Sequence, residues 1–255
     1  MTLIDDALLP VALAPVGLDE LVGCADLQTR RDRKYLVPCG RAVELAAVLP
    51  TGTRVLRIGA LTCFRYESVY FDTPDHASYL GAARRRPRRF KVRTRTYTDS
   101  GSCMLEVKVR DARGHTVKHR QPYTLDDRHH LSAAGRAFVA AFPQGAPFAD
   151  RMTNVLATVY DRTTLLLPDG ATRITIDLDV RWTAPEGGGA SLPGLAVVET
   201  KTAGAPSEVD RALWRMGIRP SAISKFGTGL AAVTPELPAN KWHRVLGRHV
   251  ALRAT

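Results

Sequence analysis

Basic residues recur at every second position in several stretches of this chain. In FKVRTRTY, Lys91, Arg93 and Arg95 alternate with Phe90, Val92 and Thr94; in LEVKVR, Glu106, Lys108 and Arg110 alternate with Leu105, Val107 and Val109. Successive side chains of a β-strand point to opposite faces, so each stretch predicts one charged and one apolar face. RITIDLDV sets Arg173, Thr175, Asp177 and Asp179 against Ile174, Ile176, Leu178 and Val180 in the same way. VVETK pairs Glu199 with Lys201, and RRDRKYLV pairs Asp32 with Lys34. Such faces suit the binding of phosphate. Their few acids, Asp32, Glu106, Asp177, Asp179 and Glu199, can either hold the basic side chains or offer oxygen ligands to Mg²⁺ or Mn²⁺, with Glu199 the first candidate.

One such strand has a plain alternative explanation, because antiparallel sheets commonly turn a polar face to water. The lysines argue otherwise. Of 36 basic residues only seven are Lys, at positions 34, 91, 108, 118, 201, 225 and 241, so Arg is the ordinary cation of this chain. Six of the seven fall on the alternating stretches or in SKFGTG. The formal charge of +11 points to an anionic partner.

Period-two alternation broken by Gly, Pro and Asp turn signals predicts about eight strands. They are Gln28 to Val37, Thr62 to Phe71, Phe90 to Thr98, Met104 to Arg110, Thr116 to Tyr123, Asn154 to Leu166, Thr172 to Trp182 and Leu195 to Thr202. Helices are expected over Gly40 to Val48, Asp75 to Arg84, Arg128 to Phe142 and Ser207 to Met216, the last with Ser207 as N-cap. Ala184 to Pro193 reads as a flexible loop and the last fifteen residues as a helix or tail. An α+β fold follows: a predominantly antiparallel, closed β-barrel with its charged face inward and helices outside, since closure removes exposed edges. Cations crowded into such a lumen require a polyanion or carboxylates among them.

The stretches RRDRKYLVP, ESVYFDTPD, RRRPRRFKVRTRTY, LEVKVRD followed by KHR, TVYDRTTL, RITIDLD, VVETK and SKFGTG occur in an order that resembles the VTC polyphosphate polymerase domain, a branch of the CYTH or triphosphate tunnel metalloenzyme superfamily. The resemblance covers about Arg30 to Gly229 and implies an eight-stranded tunnel. In it Lys34, Arg93, Arg95, Lys108, Lys118, Arg162, Arg173, Lys201 and Lys225 would hold phosphates, with Arg93, Arg95, Lys108 and Arg173 on the ATP, and Glu199 would bind Mn²⁺ or Mg²⁺. It implies transfer of the ATP γ-phosphoryl group to a growing polyphosphate chain; relatives hydrolyse triphosphates or cyclise ATP. A triphosphatase and a silent polyphosphate-binding protein are therefore the alternatives. Asp32 stands where the superfamily's E-x-K carries Glu, one methylene shorter. The domain plan is an extension over 1–27, the tunnel domain over 28–233 and a tail over 234–255. The SPX domain and membrane helices of the eukaryotic VTC proteins are not expected here, so regulation and membrane coupling are expected from other proteins.

Nucleic acid is a weaker reading of ARRRPRRFKVRTR, which runs straight into an alternating strand without stacking aromatics at useful spacing. No Walker motif and no H-E-x-x-H occurs. Cys24, Cys39, Cys63 and Cys103 lack the spacing of a zinc site or a disulfide framework, so reduced thiols are expected. His129 and His130 are expected on a solvated helix end, without a catalytic role. The apolar opening has Asp5, Asp6, Pro10 and Pro15 and no basic start, unlike a signal peptide, and no apolar run is long enough to span a bilayer. The cytoplasm is the default location.

Overall fold

The computed structural model of the chain describes residues 13–23, 31–110, 114 and 116–253. In chain order the elements are β1 (Ala14–Val16), α1 (Leu18–Gly23), β2 (Arg31–Pro38), α2 (Ala42–Ala47), β3 (Arg54–Leu56), β4 (Cys63–Asp72), α3 (Ala77–Ala83), β5 (Arg89–Tyr97), β6 (Ser102–Arg110) and β7 (Thr116–Tyr123). They continue with α4 (Ala133–Ala140), β8 (Thr153–Leu166), β9 (Arg173–Thr183), β10 (Gly189–Ser191), β11 (Leu195–Thr202), α5 (Glu208–Arg215), α6 (Lys225–Val233), α7 (His243–His249) and β12 (Ala251–Arg253). The opening segment, Cys24 and the expected strand start at Gln28 lie outside the described residues.

The expected α+β class, dominated by antiparallel pairing, is what the chain adopts. The expected eight-stranded closure is not seen among the described residues. Twelve strands take part, and β2 pairs only with β11, β7 only with β6 and β12 only with β10, so among the described residues the ladder does not close. The four extra strands, β1, β3, β10 and β12, have three residues each, too few to show a two-residue period. β10 corrects the expected flexible loop at 184–193: Gly189–Ser191 pair with both β9 and β12. Gly189 is required there, since a Cβ would lie 2.5 Å from the Trp182 carbonyl oxygen.

The expected helices are present but shorter. Ser132 caps α4, its Oγ accepting from the Gly135 N–H at 3.2 Å, so the predicted start at Arg128 becomes a separate 3-10 turn, Asp126–His129. Within the expected helix or tail at the end, His243–His249 form α7 and Ala251–Arg253 form β12. Helix α6, in SKFGTG, has a capped start the sequence reading passed over: Ser224 Oγ accepts from Gly227 N–H.

Two compact units emerge. The first comprises Met1–Phe64, Tyr160–Val180 and Leu192–Ala222, the second Arg65–Val159, Arg181–Ser191 and Ile223–Thr255. In the first, β11 lies between β2 and β9, antiparallel to both. Tyr35, Val37, Ile174, Ile176, Ala196 and Val198 turn to one side and pack with Leu45 of α2 and Val209 and Leu213 of α5. Each aliphatic side chain so buried contributes about 1.5–3 kcal/mol. Asp210 secures α5 on this sheet. It is fully buried, accepts from Tyr35 Oη and Thr200 Oγ1, each at 2.6 Å, and closes a capping box with Ser207.

The second unit is a meander, β4–β5–β6–β7. Val69, Phe71, Phe90, Val92, Leu105 and Val107 form its apolar face, covered by Leu131, Val139 of α4 and Met152. At the end of β4 the buried Asp72 accepts the N–H groups of Thr73, Ser78 and Tyr79, each at 2.8 Å, and so fixes the start of α3. Both units thus use one sheet face for core, which leaves the other for charge. No helix among the described residues is long and apolar enough to cross a membrane.

Candidate functional site

Residues directly opposite on antiparallel strands share a face, so the register of β4 to β7 arranges the second unit's charged side chains in rows. Lys91, Lys108 and Lys118 form one row; Tyr70, Arg93, Glu106 and Arg120 the next; Ser68, Arg95 and Met104 a third; and Arg89 stands beside Arg110. Neighbouring strands lie about 4.8 Å apart, which brings three lysines within roughly 10 Å across the sheet. Eight cations and a single carboxylate occupy these rows.

That carboxylate is held hard. Glu106 is 2% exposed, and Arg93 reaches its Oε2 through Nη2 at 2.6 Å and Nε at 2.7 Å. Lys118 Nζ lies 3.3 Å from Oε1 and Arg95 Nε 4.0 Å from Oε2. Burial pushes the Glu106 pKa up, but the charges of Arg93, Arg95 and Lys118 outweigh it and hold the carboxyl well below the usual range. Burial and the two guanidinium groups lower the Lys118 pKa, with Glu106 opposing them. Aromatic rings share in carrying the cations: Lys91 Nζ sits 5.2 Å from the Phe226 centroid and Arg95 lies 5.5 Å from that of Tyr66. Five buried polar atoms of this unit, Ser68 Oγ, His76 Nδ1, Arg95 Nε, Thr158 Oγ1 and Trp242 Nε1, have no hydrogen-bond partner among the described residues. Buried polar groups are otherwise almost always satisfied.

The first unit's charged face alternates acid and base. Glu199 stands opposite Lys34 on one side and Thr175 on the other, and Lys201 stands between Asp32 and Arg173. Lys34 Nζ lies 3.8 Å from Glu199 Oε1. Arg162 of β8 grips the fully buried Asp177 with two parallel bonds, Nε at 2.5 Å and Nη2 at 2.8 Å. Arg173 Nη2 donates to the Leu21 carbonyl oxygen. The buried Thr175 Oγ1, beside Glu199, has no hydrogen-bond partner among the described residues. Asp179 takes a left-handed φ of 52°, between the β11 ladder, which reaches Asp177, and the β10 ladder, which begins at Arg181.

The sequence model of the VTC domain matches residues 29–234. The chain belongs to the VTC domain family. Similar solved structures include a candidate adenylate cyclase from Vibrio parahaemolyticus, 13% identical at a TM-score of 0.41 over 85% of this chain and 89% of that one. A candidate adenylyl cyclase from Hippeastrum, described as having a dominant triphosphatase activity, is 13% identical at 0.47 over 78% and 93%. A protein from Pyrococcus horikoshii OT3 is 12% identical at 0.42 over 74% and 88%. No curated protein sequence matches.

The residues expected to carry chemistry in this VTC domain therefore form two sets. Arg93, Arg95, Lys108 and Lys118 surround Glu106 in the second unit, where Lys225 opens α6 and its carbonyl accepts from Trp182 Nε1. Lys34, Arg162, Arg173, Lys201 and Glu199 share the face of the first. Of the five acids considered for a metal, Glu106 and Asp177 are engaged by guanidinium groups. Among the described residues no three His, Cys, Asp or Glu side chains come together to hold an ion. Cys39 and Cys103 are free thiols. His129 and His130 lie exposed at the 3-10 turn, near Glu67 and Asp127. The sequence reading left Arg89, Arg120, Tyr70 and Ser68 out of the site. Extending the two-residue alternation of ESVYFD and TVKHRQ would have placed the last three.

Proposed function

We propose that this VTC domain is a metal-dependent polyphosphate polymerase, which moves the γ-phosphoryl group of ATP onto the end of a phosphate chain. The observation that carries the reading is the ratio of eight cations to one carboxylate on the β4–β7 face. A face so charged favours a polyanion against it, and three rows of cations suit a linear chain of phosphates better than a single anion. Ser68 and Thr158 can donate to phosphate oxygens, and Arg95 Nε to another. That the sheet forms the tunnel implied by the family belongs to this proposal and is supported by family membership.

Mg²⁺ commonly takes one or two protein carboxylates and completes its shell with water and substrate phosphate oxygens, so a single acid can serve it without a closed cage of protein ligands. Glu199 is that acid, with Thr175 Oγ1 beside it. When bound, the metal would neutralise charge on the phosphate oxygens. The protein's own part is positioning and charge, as phosphoryl transfer needs no covalent intermediate. Arg93, Arg95, Lys108, Arg162 and Arg173 hold the triphosphate, and Lys34, Lys118, Lys201 and Lys225 hold the growing chain. A terminal oxygen of the chain forms a bond to the γ-phosphorus, the bond from that phosphorus to the β,γ-bridging oxygen breaks, and ADP leaves with the electron pair. Glu106 stays ionised and keeps Arg93 aimed.

Incubation with ATP and Mg²⁺ or Mn²⁺ tests this, with ADP, free phosphate and polyphosphate resolved and Glu199→Ala run alongside. Polyphosphate with matching ADP, lost in the variant, is expected. Free phosphate as the sole product would make the chain a triphosphatase, and no product with any metal would leave it a binding protein.

A further inference from the structure

Residues 84–89, between α3 and β5, carry five arginines in six positions: Arg84, Arg85, Arg86, Arg88 and Arg89. Arg84, Arg86 and Arg88 are exposed and make no ion pair among the described residues, and Arg85 holds a left-handed φ of 54°. Unpaired like charges kept this close repel one another, so the loop conserves no stability by itself. What it surrounds is a cavity of about 490 Å³, open to solvent, with a wall unlike that of the cationic face. Leu80, Phe90, Pro143, Pro147 and Phe148 make the wall, and Arg84, Arg86, Arg88 and Gln144 its rim. Phe90 and Phe148 stack with centroids 5.2 Å apart and planes 24° from parallel. Phe90 points away from the face that carries Lys91 and Arg93, so the apolar wall is distinct from that face, which the cavity adjoins through Arg89.

We propose that this cavity is a second ligand site and takes a nucleoside phosphate. Its volume falls in the range of small-molecule sites, about 300–1,000 Å³. Stacked phenyl rings and two prolines offer flat apolar surface for a base. The arginines offer planar, bidentate donors for the phosphates. A bare phosphate chain has nothing to place against Phe148, and a membrane surface calls for a protruding apolar element where this one is concave. A nucleoside diphosphate satisfies both halves of the site, and its binding would let product or energy charge act on the enzyme from a cavity beside the cationic face.

The test is calorimetric titration of the full chain with ADP in EDTA and saturating tripolyphosphate, which fills sites that read phosphate alone. One equivalent of ADP is expected to bind still. The triple variant Arg84→Ala, Arg86→Ala, Arg88→Ala should weaken it at least tenfold. Gln144→Glu, which adds a negative charge at the rim and alters no core contact, should weaken it as well. Both variants are at exposed or rim positions and should unfold at the wild-type temperature. ADP binding abolished by tripolyphosphate, or unchanged in both variants, would overturn the proposal. So would single-stranded oligoribonucleotides that bind more tightly with increasing length and displace ADP, which would make the loop a nucleic-acid contact.

Discussion

Replacing Glu106 by Gln keeps the shape of the β6 side chain and removes the one negative charge among eight cations. Breaking a buried ion pair by deleting one partner costs about 3–5 kcal/mol, because the survivor is left uncompensated. Here the survivors are Arg93, 20% exposed, Arg95, 11% exposed, and Lys118, 40% exposed, so water screens part of the loss. A cost of about 2–3 kcal/mol follows, since exposed partners contribute little. For a chain of this size each kcal/mol moves the melting temperature by about 2–4 °C, giving a fall of roughly 5–10 °C. Thermal unfolding at neutral pH, with and without tripolyphosphate, measures it. Added tripolyphosphate should raise the melting temperature of Glu106→Gln more than that of the wild type, because the anion takes the place of the missing carboxylate. The pH dependence carries the same sign. The Glu106 pKa is lowered from its ordinary 4.5, so its contribution is present above that value and is lost as pH falls below it. The acid limb of the stability curve should therefore be shallower in the variant. Equal melting temperatures for the two proteins, or equal gains from tripolyphosphate, would refute the view that Glu106 stands in for an anion.

Asp177→Asn removes the two-bond partner of Arg162 at a fully buried position and should cost about 3 kcal/mol in urea unfolding. Gly229→Ala in α6 puts a Cβ into the Trp182 indole ring, and overpacking of this kind should cost about 1–3 kcal/mol, read as a lower unfolding midpoint, although alanine is the better helix former.

The charged and apolar faces were legible in the sequence because strands of eight or more residues repeat a two-residue period long enough to read. Lys91, Arg93 and Arg95 share a face as expected, and Phe90 takes the other. Strands β1, β3, β10 and β12 carry no such repeat and depend on pairing with distant partners, so they were invisible. The Ser207 cap was readable, while the part of Asp210 in joining α5 to Tyr35 and Thr200 required three segments to meet. Individual side chains were placed best where alternation decides. The partners of the acids were beyond it: only the register could show that Glu106 faces Arg93 and Arg120, and only the fold that Asp177 meets Arg162.

Transfer to a chain end can be followed with ATP labelled at the γ-phosphorus, supplied with a preformed polyphosphate primer and Mg²⁺ or Mn²⁺. Label is expected in the acid-precipitable polymer with one ADP released for each phosphate added, and none in polymer for Glu199→Ala. Label found only in free phosphate, with the primer unchanged in length, would contradict it.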